Sequence, residues 1–280
     1  RLIGYSDAEH PIGLQLGGNE PEKLAEAARI AEDFGYDEVN LNCGCPSDRV
    51  QSGAFGACLM RDPELVANCL SAMSDAVTIP VTVKHRIGVD DDDPRQRLFG
   101  FVETVRKNAP VTVFQVHARK AWLKGLSPKE NRDIPPLDYA LVHELKAEHP
   151  DLTIVLNGGL ADLDMCAPHL ENLDGVMLGR AAYHNPALLL DVDERLFGKP
   201  RRHVDLASAL RAYRDYVVAE LKAGTPLHAM TRHLLGAFAG EPGARHWRRH
   251  LSENAPRTQA DITVFDDALN LVLQHQLATS

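Results

Sequence analysis

Short apolar runs rich in β-branched residues alternate with amphipathic helical stretches from the start of the chain to about residue 200. This alternation is typical of βα units, in which helices cover a sheet of parallel strands. The pattern therefore predicts an α/β fold with six strands, at residues 12–16, 38–42, 81–85, 111–117, 153–156 and 175–178.

Two helices carry clear end signals. Asn19 and Glu22 have the spacing of a capping box at the start of the first helix, and Gly35 stands where that helix should end. The pair Asp62-Pro63 has the residue types expected at the start of a second helix.

Six βα units are two fewer than a TIM barrel contains, and a doubly wound fold would carry a glycine-rich first turn that is absent here. The chain also opens on Arg1 rather than on a methionine. We therefore expect a TIM-type barrel that lacks its first two βα units, because the sequence begins inside a longer protein. Beyond Pro200 the pattern is helical only, with helices around residues 206–217, 227–238 and 265–277. This predicts a barrel domain over residues 1–200 and a small helical domain over residues 201–280.

Composition excludes several protein classes. No run approaches the roughly 18 consecutive apolar residues of a membrane span, and the N-terminus lacks a signal-peptide pattern, so we expect a cytoplasmic protein without a membrane partner. We also expect a monomer. The five cysteines are neither evenly paired nor spaced with histidines as zinc ligands are, so no disulfide framework and no metal is expected.

The net charge of −9 argues against a polyanionic partner, because Lys and Arg supply most of the affinity for RNA. The charge is uneven, however: residues 1–200 carry a net charge of −11 and residues 201–280 a net charge of +2. A basic and aromatic cluster in this second part has the composition of a nucleic-acid contact, and its alternative is a solvated helix face. The cluster consists of Arg245, His246, Trp247, Arg248, Arg249 and His250.

Polar residues are concentrated where the predicted strands end, which is where TIM barrels place their reactive groups. Asn157-Gly158-Gly159 and Gly179-Arg180 end the last two strands, where backbone N–H groups of barrels commonly bind a phosphate. A guanidinium at Arg180 is suited to pair with the same phosphate. Each glycine turn alone is more often only a turn, but the two together predict a phosphate site.

A phosphate site without a Walker lysine or a dinucleotide fingerprint indicates a mononucleotide such as FMN. Lys84 ends a buried strand, where its charge would stabilise a reduced, anionic flavin. Gln15 and His117 are candidates to bind the ring edge and the phosphate side. The alternative for a buried Lys or His is an ion pair within the protein.

Two cysteines stand close together in the turn after the second strand. The spacing of Cys43 and Cys45 fits poorly with a metal site or a redox disulfide. Cys45, between Gly44 and Pro46, is the better candidate for an exposed thiol. Cys43 either faces the same way or packs in the core.

Taken together, these motifs resemble the tRNA-dihydrouridine synthases, and the run from His117 to Arg132 resembles the bacterial subfamily that modifies positions 20 and 20a of the tRNA D-loop. The resemblance extends over essentially the whole chain. It is carried by Gln15-Leu16-Gly17-Gly18, Leu41-Asn42-Cys43-Gly44-Cys45-Pro46-Ser47, Val83-Lys84-His85-Arg86, the run from His117 to Arg132, Asn157-Gly158-Gly159 and Gly179-Arg180.

The resemblance implies FMN at the barrel mouth, NADPH as the reductant, Cys45 as the proton donor and Asn42 near the target base. It also implies a first strand ending in a Pro-Met-Met-Asp-like motif, which this sequence does not contain. For the tRNA backbone, four cations are candidates: Lys129, Arg132, Arg245 and Arg248.

The expected reaction adds hydride at C6 of uracil and a proton at C5, with the base turned out of the tRNA fold. Two alternatives stay open at this point. One is an FMN barrel of the dihydroorotate dehydrogenase type, which also acts on a pyrimidine but has no use for a basic helical tail. The other is an RNA-binding protein without catalysis.

Overall fold

The computed structural model describes residues 3–47 and 55–279, so that Arg1 lies outside the described residues. The chain forms two compact units. The first contains the residues up to Gly159 together with Pro168–Met177, and the second contains Leu160–Ala167 and the chain from Leu178 onward. The assignment of catalysis to residues 1–200 and of tRNA binding to residues 201–280 stays a prediction.

Six parallel strands form the sheet of the first unit, which confirms the predicted α/β fold. Each strand pairs with the next one along the chain, which is the order of consecutive βα units in a TIM barrel. That two further units precede them stays a prediction. The strands are β1 (Gly13–Leu16), β2 (Glu38–Cys43), β3 (Val81–Arg86), β4 (Val113–His117), β5 (Thr153–Asn157) and β6 (Gly175–Met177).

The first unit's longer helices are α1 (Pro21–Asp33), α2 (Pro63–Ala76), α3 (Pro94–Asn108) and α4 (Tyr139–Glu148). The predicted capping box at Asn19 is wrong: α1 follows Glu20, whose side chain makes no capping hydrogen bond, and begins with proline. A proline at the first helical position supplies a fixed helical φ and has no N–H to satisfy. The predicted start of α2 is confirmed, because Asp62 accepts a hydrogen bond from the amide of Leu65.

The two faces of the sheet differ in chemistry, because successive residues of a strand point in opposite directions. The outer face packs with the helices in one apolar core, where each large side chain contributes about 1.5–3 kcal/mol. It includes Leu41, Cys43, Val83, His85, Phe114 and Val116, all buried. The inner face is polar and includes Glu38, Asn40, Asn42, Thr82, Lys84, Gln115 and His117.

The second unit is helical beyond residue 178, and its helices enclose a core around Trp247 and Phe265. The prediction of one helix over residues 227–238 is wrong, since the helix ends at Thr231 and turns follow. In the part of the chain that the structure describes, no helix is long and apolar enough to cross a membrane. The helices are α5 (Leu163–Cys166), α6 (Arg180–His184), α7 (Val192–Phe197), α8 (Leu206–Lys222), α9 (Leu227–Thr231), α10 (Ala244–Asn254) and α11 (Ile262–Thr279).

Candidate active site

The turn after β2 is held by the side chain of Asn42. Its Oδ1 accepts hydrogen bonds from the backbone amides of Gly44 at 3.0 Å and Cys45 at 3.1 Å. On the other side of the turn, Arg86 Nε donates to the carbonyl oxygen of Gly44 at 3.1 Å. We call residues 42–45 the thiol turn, and its backbone is thus fixed by two side chains.

Cys43 and Cys45 have different surroundings, which decides the choice that the sequence left open. Cys43 is fully buried on the outer face, where burial raises the pKa of its thiol. Cys45 is only partly buried, and its Sγ donates to Ser47 Oγ at 3.4 Å. Cys43 is therefore a core residue, whereas Cys45 can meet a ligand.

Lys84 is a largely buried cation on the inner face. In the described residues no carboxylate lies within 4.0 Å of its Nζ, so the alternative of an ion pair is not what the structure shows. Burial, together with the nearby charge of Arg86, lowers the pKa of Lys84 to about 8, while Cys45 acts in the opposite sense. A buried ammonium without a counter-ion favours an anionic ligand.

Gln15 is already part of a hydrogen-bond network at this end of the sheet. Its Nε2 donates to Asn40 Oδ1 at 2.7 Å, and its Oε1 accepts from Asn42 Nδ2 at 3.1 Å. The side chain remains exposed, so one N–H and one lone pair are left to meet a ligand.

The turn after β5 is closely packed. Gly158 and Gly159 have φ values of +113° and +69°, and a Cβ on Gly158 would lie 2.6 Å from Cδ2 of His117. The hydroxyl of Tyr139 donates to the carbonyl oxygen of Gly158 at 2.6 Å. Asn157 Nδ2 donates to the carbonyl oxygen of Met177 at 2.7 Å, which holds the ends of β5 and β6 together. A side chain at either position would be strained, because φ is positive at both. Gly158 is buried against the His117 ring, whereas Gly159 is exposed.

Gly179 and Arg180 belong to the second unit, where they begin α6. Both residues are exposed, and no heavy atom would lie within 4 Å of a Cβ on Gly179. Packing within the unit therefore gives no reason for a glycine at this position. The phosphate site that the sequence predicts from both glycine turns stays a prediction.

The loop after β4 carries Lys129 and Arg132, which are both exposed. Between them, Asn131 is fully buried and organises the loop: its Oδ1 accepts from the amide of Trp122 at 2.7 Å, and its Nδ2 donates to the carbonyl oxygen of Trp122 at 2.8 Å. The carbonyl oxygen of Asn131 also accepts from Arg86 at 2.9 Å. The sequence analysis gave no role to Asn131 or Arg86, because nothing in their local pattern shows that they bond to distant backbone.

The basic and aromatic cluster on α10 is only partly as expected. Arg245 and Arg248 are exposed. Trp247 is fully buried, and its indole N–H donates to the carbonyl oxygen of Leu234 at 2.7 Å. The expectation that this tryptophan could touch a nucleic acid is wrong, because it forms the core of the second unit together with Phe265.

Comparison with known proteins places this geometry in a family. The pattern that defines the dihydrouridine synthases (Dus) matches residues 3–273. Proteins named tRNA-dihydrouridine(20/20a) synthase are similar over most of their length. That of Escherichia coli K12 is 54% identical over 96% of this chain and 78% of its own. That of Salmonella typhimurium is 54% identical over 96% and 81%. That of Vibrio cholerae is 50% identical over 99% and 84%. The chain therefore belongs to the dihydrouridine synthase family, and not to the dihydroorotate dehydrogenase type.

Proposed function

We propose that this protein reduces the C5–C6 bond of uridine to 5,6-dihydrouridine at positions 20 and 20a of the tRNA D-loop, with FMN as cofactor and NADPH as reductant. The observation that carries the proposal is the ordered thiol turn, which leaves Cys45 accessible next to Lys84, a largely buried cation without a counter-ion among the described residues. Relatives that share 50–54% of its residues are named for positions 20 and 20a of tRNA. We further propose that it acts in the cytoplasm as a monomer and without a metal.

The residues of the first unit fit a flavin mononucleotide. Lys84 offers a positive charge that nothing in the described protein neutralises, and the turn at Gly158 and Gly159 offers backbone without side chains. The proposed FMN ligands are Gln15, Lys84, His117, Asn157, Gly158 and Gly159, with Gly179 and Arg180 from the second unit. When bound, FMN supplies the hydride that C6 of uracil accepts.

Reduction of uracil also needs a proton at C5, because hydride addition at C6 leaves negative charge on the C4 carbonyl and C5. We assign this proton to the Cys45 thiol, which acts as a general acid. Its S–H bond breaks as the C5–H bond forms, and the thiolate is protonated again from solvent. Asn42 orders the turn that carries the thiol. We propose that it also lies near the target base.

The target uridine has to leave its stack before its ring can reach the thiol, as in other enzymes that act on single bases. Phosphates on either side of it must then be held. We propose Lys129 and Arg132 in the first unit, and Arg245 and Arg248 in the second, as these contacts. All four side chains are exposed, as phosphate contacts require.

Mass spectrometry of D-loop fragments tests the function directly. Full-length protein is incubated with unmodified tRNA, FMN and NADPH, and the expected product is a gain of two hydrogens at positions 20 and 20a. A transcript with cytidine at both positions is the control and should stay unmodified. Dihydrouridine elsewhere in the D-loop would contradict the positions, and no dihydrouridine at all would favour an RNA-binding protein without catalysis.

A further inference from the structure

A chain of side-chain hydrogen bonds crosses the inner face from the start of β2 to the thiol turn. It begins at Glu38, whose Oε1 accepts from Gln115 Nε2 at 3.3 Å. Gln115 Oε1 accepts from Asn40 Nδ2 at 2.9 Å, and Asn40 Oδ1 accepts from Gln15 Nε2 at 2.7 Å. Gln15 Oε1 then accepts from Asn42 Nδ2 at 3.1 Å. The chain thus connects Glu38 with Asn42, about 13 Å further along the same strand.

Every amide in this chain has the same orientation. Each side chain points its NH₂ group towards Glu38 and its oxygen away from it. The last oxygen is Oδ1 of Asn42, which accepts from the amides of Gly44 and Cys45. If the chain ran in the opposite direction, Asn42 would present NH₂ to these two N–H groups, and the thiol turn would lose both hydrogen bonds.

Carboxamides alone cannot choose between the two directions, because each one has a donor end and an acceptor end. A carboxylate has no proton to donate, so Glu38 accepts only, and it holds the chain in the one direction that the N–H groups of Gly44 and Cys45 also require at the other end. A second route reinforces the first: Asn40 Nδ2 donates to Thr82 Oγ1 at 2.7 Å, and Thr82 Oγ1 donates to Glu38 Oε1 at 2.5 Å.

Burial makes this direction costly to lose. Asn40, Thr82 and Gln115 are exposed by only 5%, 1% and 8%, so water has little access to replace a missing partner. A buried donor or acceptor without a partner pays its full desolvation penalty. From Glu38 to Asn40 the orientation is therefore transmitted along the chain rather than absorbed by solvent, and the last link to Asn42 passes through the exposed side chain of Gln15.

We propose that Glu38 is a positioning residue for Cys45: it sets the direction of the amide chain and thereby the backbone of the thiol turn. It touches neither the thiol nor any other atom of the turn. The inference deepens the proposed function and rests on it, since the role of the turn is to present the thiol to uracil.

The test uses Glu38→Met, which removes the acceptor at similar length, and the double variant Glu38→Met/Gln115→Glu. In the double variant the new carboxylate accepts from Asn40 directly and restores the direction of the remaining chain. Thr82→Val is the matched control, because it removes the second route and leaves Glu38, Gln115 and Asn40 connected. Glu38→Gln keeps the size of the side chain and permits both directions of the amide chain. It should therefore change the same two quantities as Glu38→Met, by smaller factors.

Two quantities are measured. Amide hydrogen exchange at Gly44 and Cys45 should become about 5- to 10-fold faster in Glu38→Met than in the wild type, relative to exchange in β5, which lies outside the chain of side chains. The kcat for dihydrouridine formation should fall about 10-fold or more while KM for tRNA changes less than about 2-fold, because a displaced thiol affects the proton transfer and not the binding of RNA. The double variant should recover both.

Unchanged exchange at Gly44 and Cys45 in Glu38→Met, or a double variant as impaired as the single one, would overturn the proposal. If Glu38→Met does not fold, Glu38→Gln decides on the same two measurements. Failure of the proposed function is distinguishable, because a wild type that forms no dihydrouridine still gives the exchange rates that test the role of Glu38.

Discussion

The two faces of the sheet in the first unit differ: the outer face is apolar and packed, and the inner face is polar and hydrogen-bonded. On the outer face, residues such as Phe114 and Val116 are fully buried in the apolar core. On the inner face, Gln115 stands between them in sequence and takes part in a hydrogen-bonded polar network. The five residues of β4 therefore contribute side chains both to the apolar core and to the polar network. A shift of the strand register by one residue would exchange the side chains on the two faces.

Two neighbouring basic side chains, Lys84 and His85, show the difference between the two faces most clearly. Burial lowers the pKa of His85 on the outer face to about 4 and that of Lys84 on the inner face to about 8. The His85 ring lies 4.8 Å from the ring of Phe101, and its Nδ1 is 2.8 Å from the carbonyl oxygen of Arg86, while its Nε2 is buried without a hydrogen-bond partner in the described part of the chain. For Lys84, by contrast, no carboxylate of the described residues lies within 4.0 Å of Nζ. Burial thus lowers the pKa of a residue packed in the core on one face and of a proposed binding residue on the other.

The largest effect is expected from Cys45→Ala, which should lower dihydrouridine formation by about 10²- to 10⁴-fold, because a general acid is removed. Binding of FMN and its reduction by NADPH should change little, since the thiol acts on uracil only. Cys43→Ala is the matched control on the outer face and should lower the free energy of unfolding by about 1–2 kcal/mol while activity persists. Single-turnover assays with flavin titrations measure these quantities, and a large loss of activity in Cys43→Ala alone would reverse the assignment of the two thiols.

Lys84→Met should have two opposite effects. Flavin binding should weaken by about 10- to 100-fold, because the variant loses the cation that we propose as a ligand of the anionic flavin. The flavin-free protein should gain up to about 3 kcal/mol of unfolding free energy at pH 7, because the wild type keeps a charged Lys84 whose folded pKa is about 8.

The sign of this second effect is set by protonation. Between about pH 8 and pH 10.5 the unfolded chain binds more protons at Lys84 than the folded chain does, so the wild type gains stability as the pH rises and the difference from Lys84→Met shrinks. Urea unfolding of flavin-free protein across this range measures it. Lys23→Met, at a largely exposed lysine, is the control and should show no such trend. Equal stability of Lys84→Met and wild type at pH 7 would contradict the account of a buried, unneutralised charge.

The outer face gives a smaller effect in acid. His85 has a folded pKa of about 4 and a reference pKa of 6.5, so the unfolded chain binds more protons between these values and stability falls as the pH falls through this window. The loss should reach about 2 kcal/mol at pH 5. His85→Phe should remove this contribution, as measured by urea unfolding between pH 7 and pH 4. A variant that keeps the wild-type pH dependence would show that other groups cause it.

The smallest effect lies outside both faces. Arg245→Ala with Arg248→Ala should weaken tRNA binding and flatten the plot of log affinity against log salt by about two units, since each phosphate contact contributes about one. Flavin content should not change. Lys107→Ala, at the C-terminal end of α3, is the control. If the double variant keeps the wild-type slope across a salt series, these arginines are not part of the RNA interface.

The sequence predicted the strands to within about two residues, because short apolar runs rich in β-branched residues are a local signal. The start of α2 at Asp62 was predicted from a local signal as well. The sequence predicted the wrong start for α1, where proline rather than Asn19 determines the first turn. It also predicted an exposed side chain at Trp247, which is fully buried. The charges beside it suggested exposure, whereas burial depended on Phe265, 18 residues further along the chain.

Of the candidate site too, one part could be predicted from the sequence and another could not. Its place at the strand ends, including Lys84 and Cys45, could be predicted because strand ends are visible in the pattern. The direction of the amide chain could not be predicted, because Asn42 is connected with Glu38 through three side chains on β1, β2 and β4, which are Gln15, Asn40 and Gln115. No local window of sequence contains such a dependence.

The turn at Gly158 and Gly159 has a consequence for mutational scanning. A substitution scan ordinarily measures what is lost when atoms are removed, yet here every substitution adds them, and even the single methyl of alanine would meet His117 at position 158 or Leu137 at position 159. Both positions should therefore score as intolerant to most alternatives. A flat profile of this kind, with little preference among substituents, would mark backbone that positive φ and the neighbouring side chains restrict to glycine, as distinct from a position where the loss of a side chain is what costs.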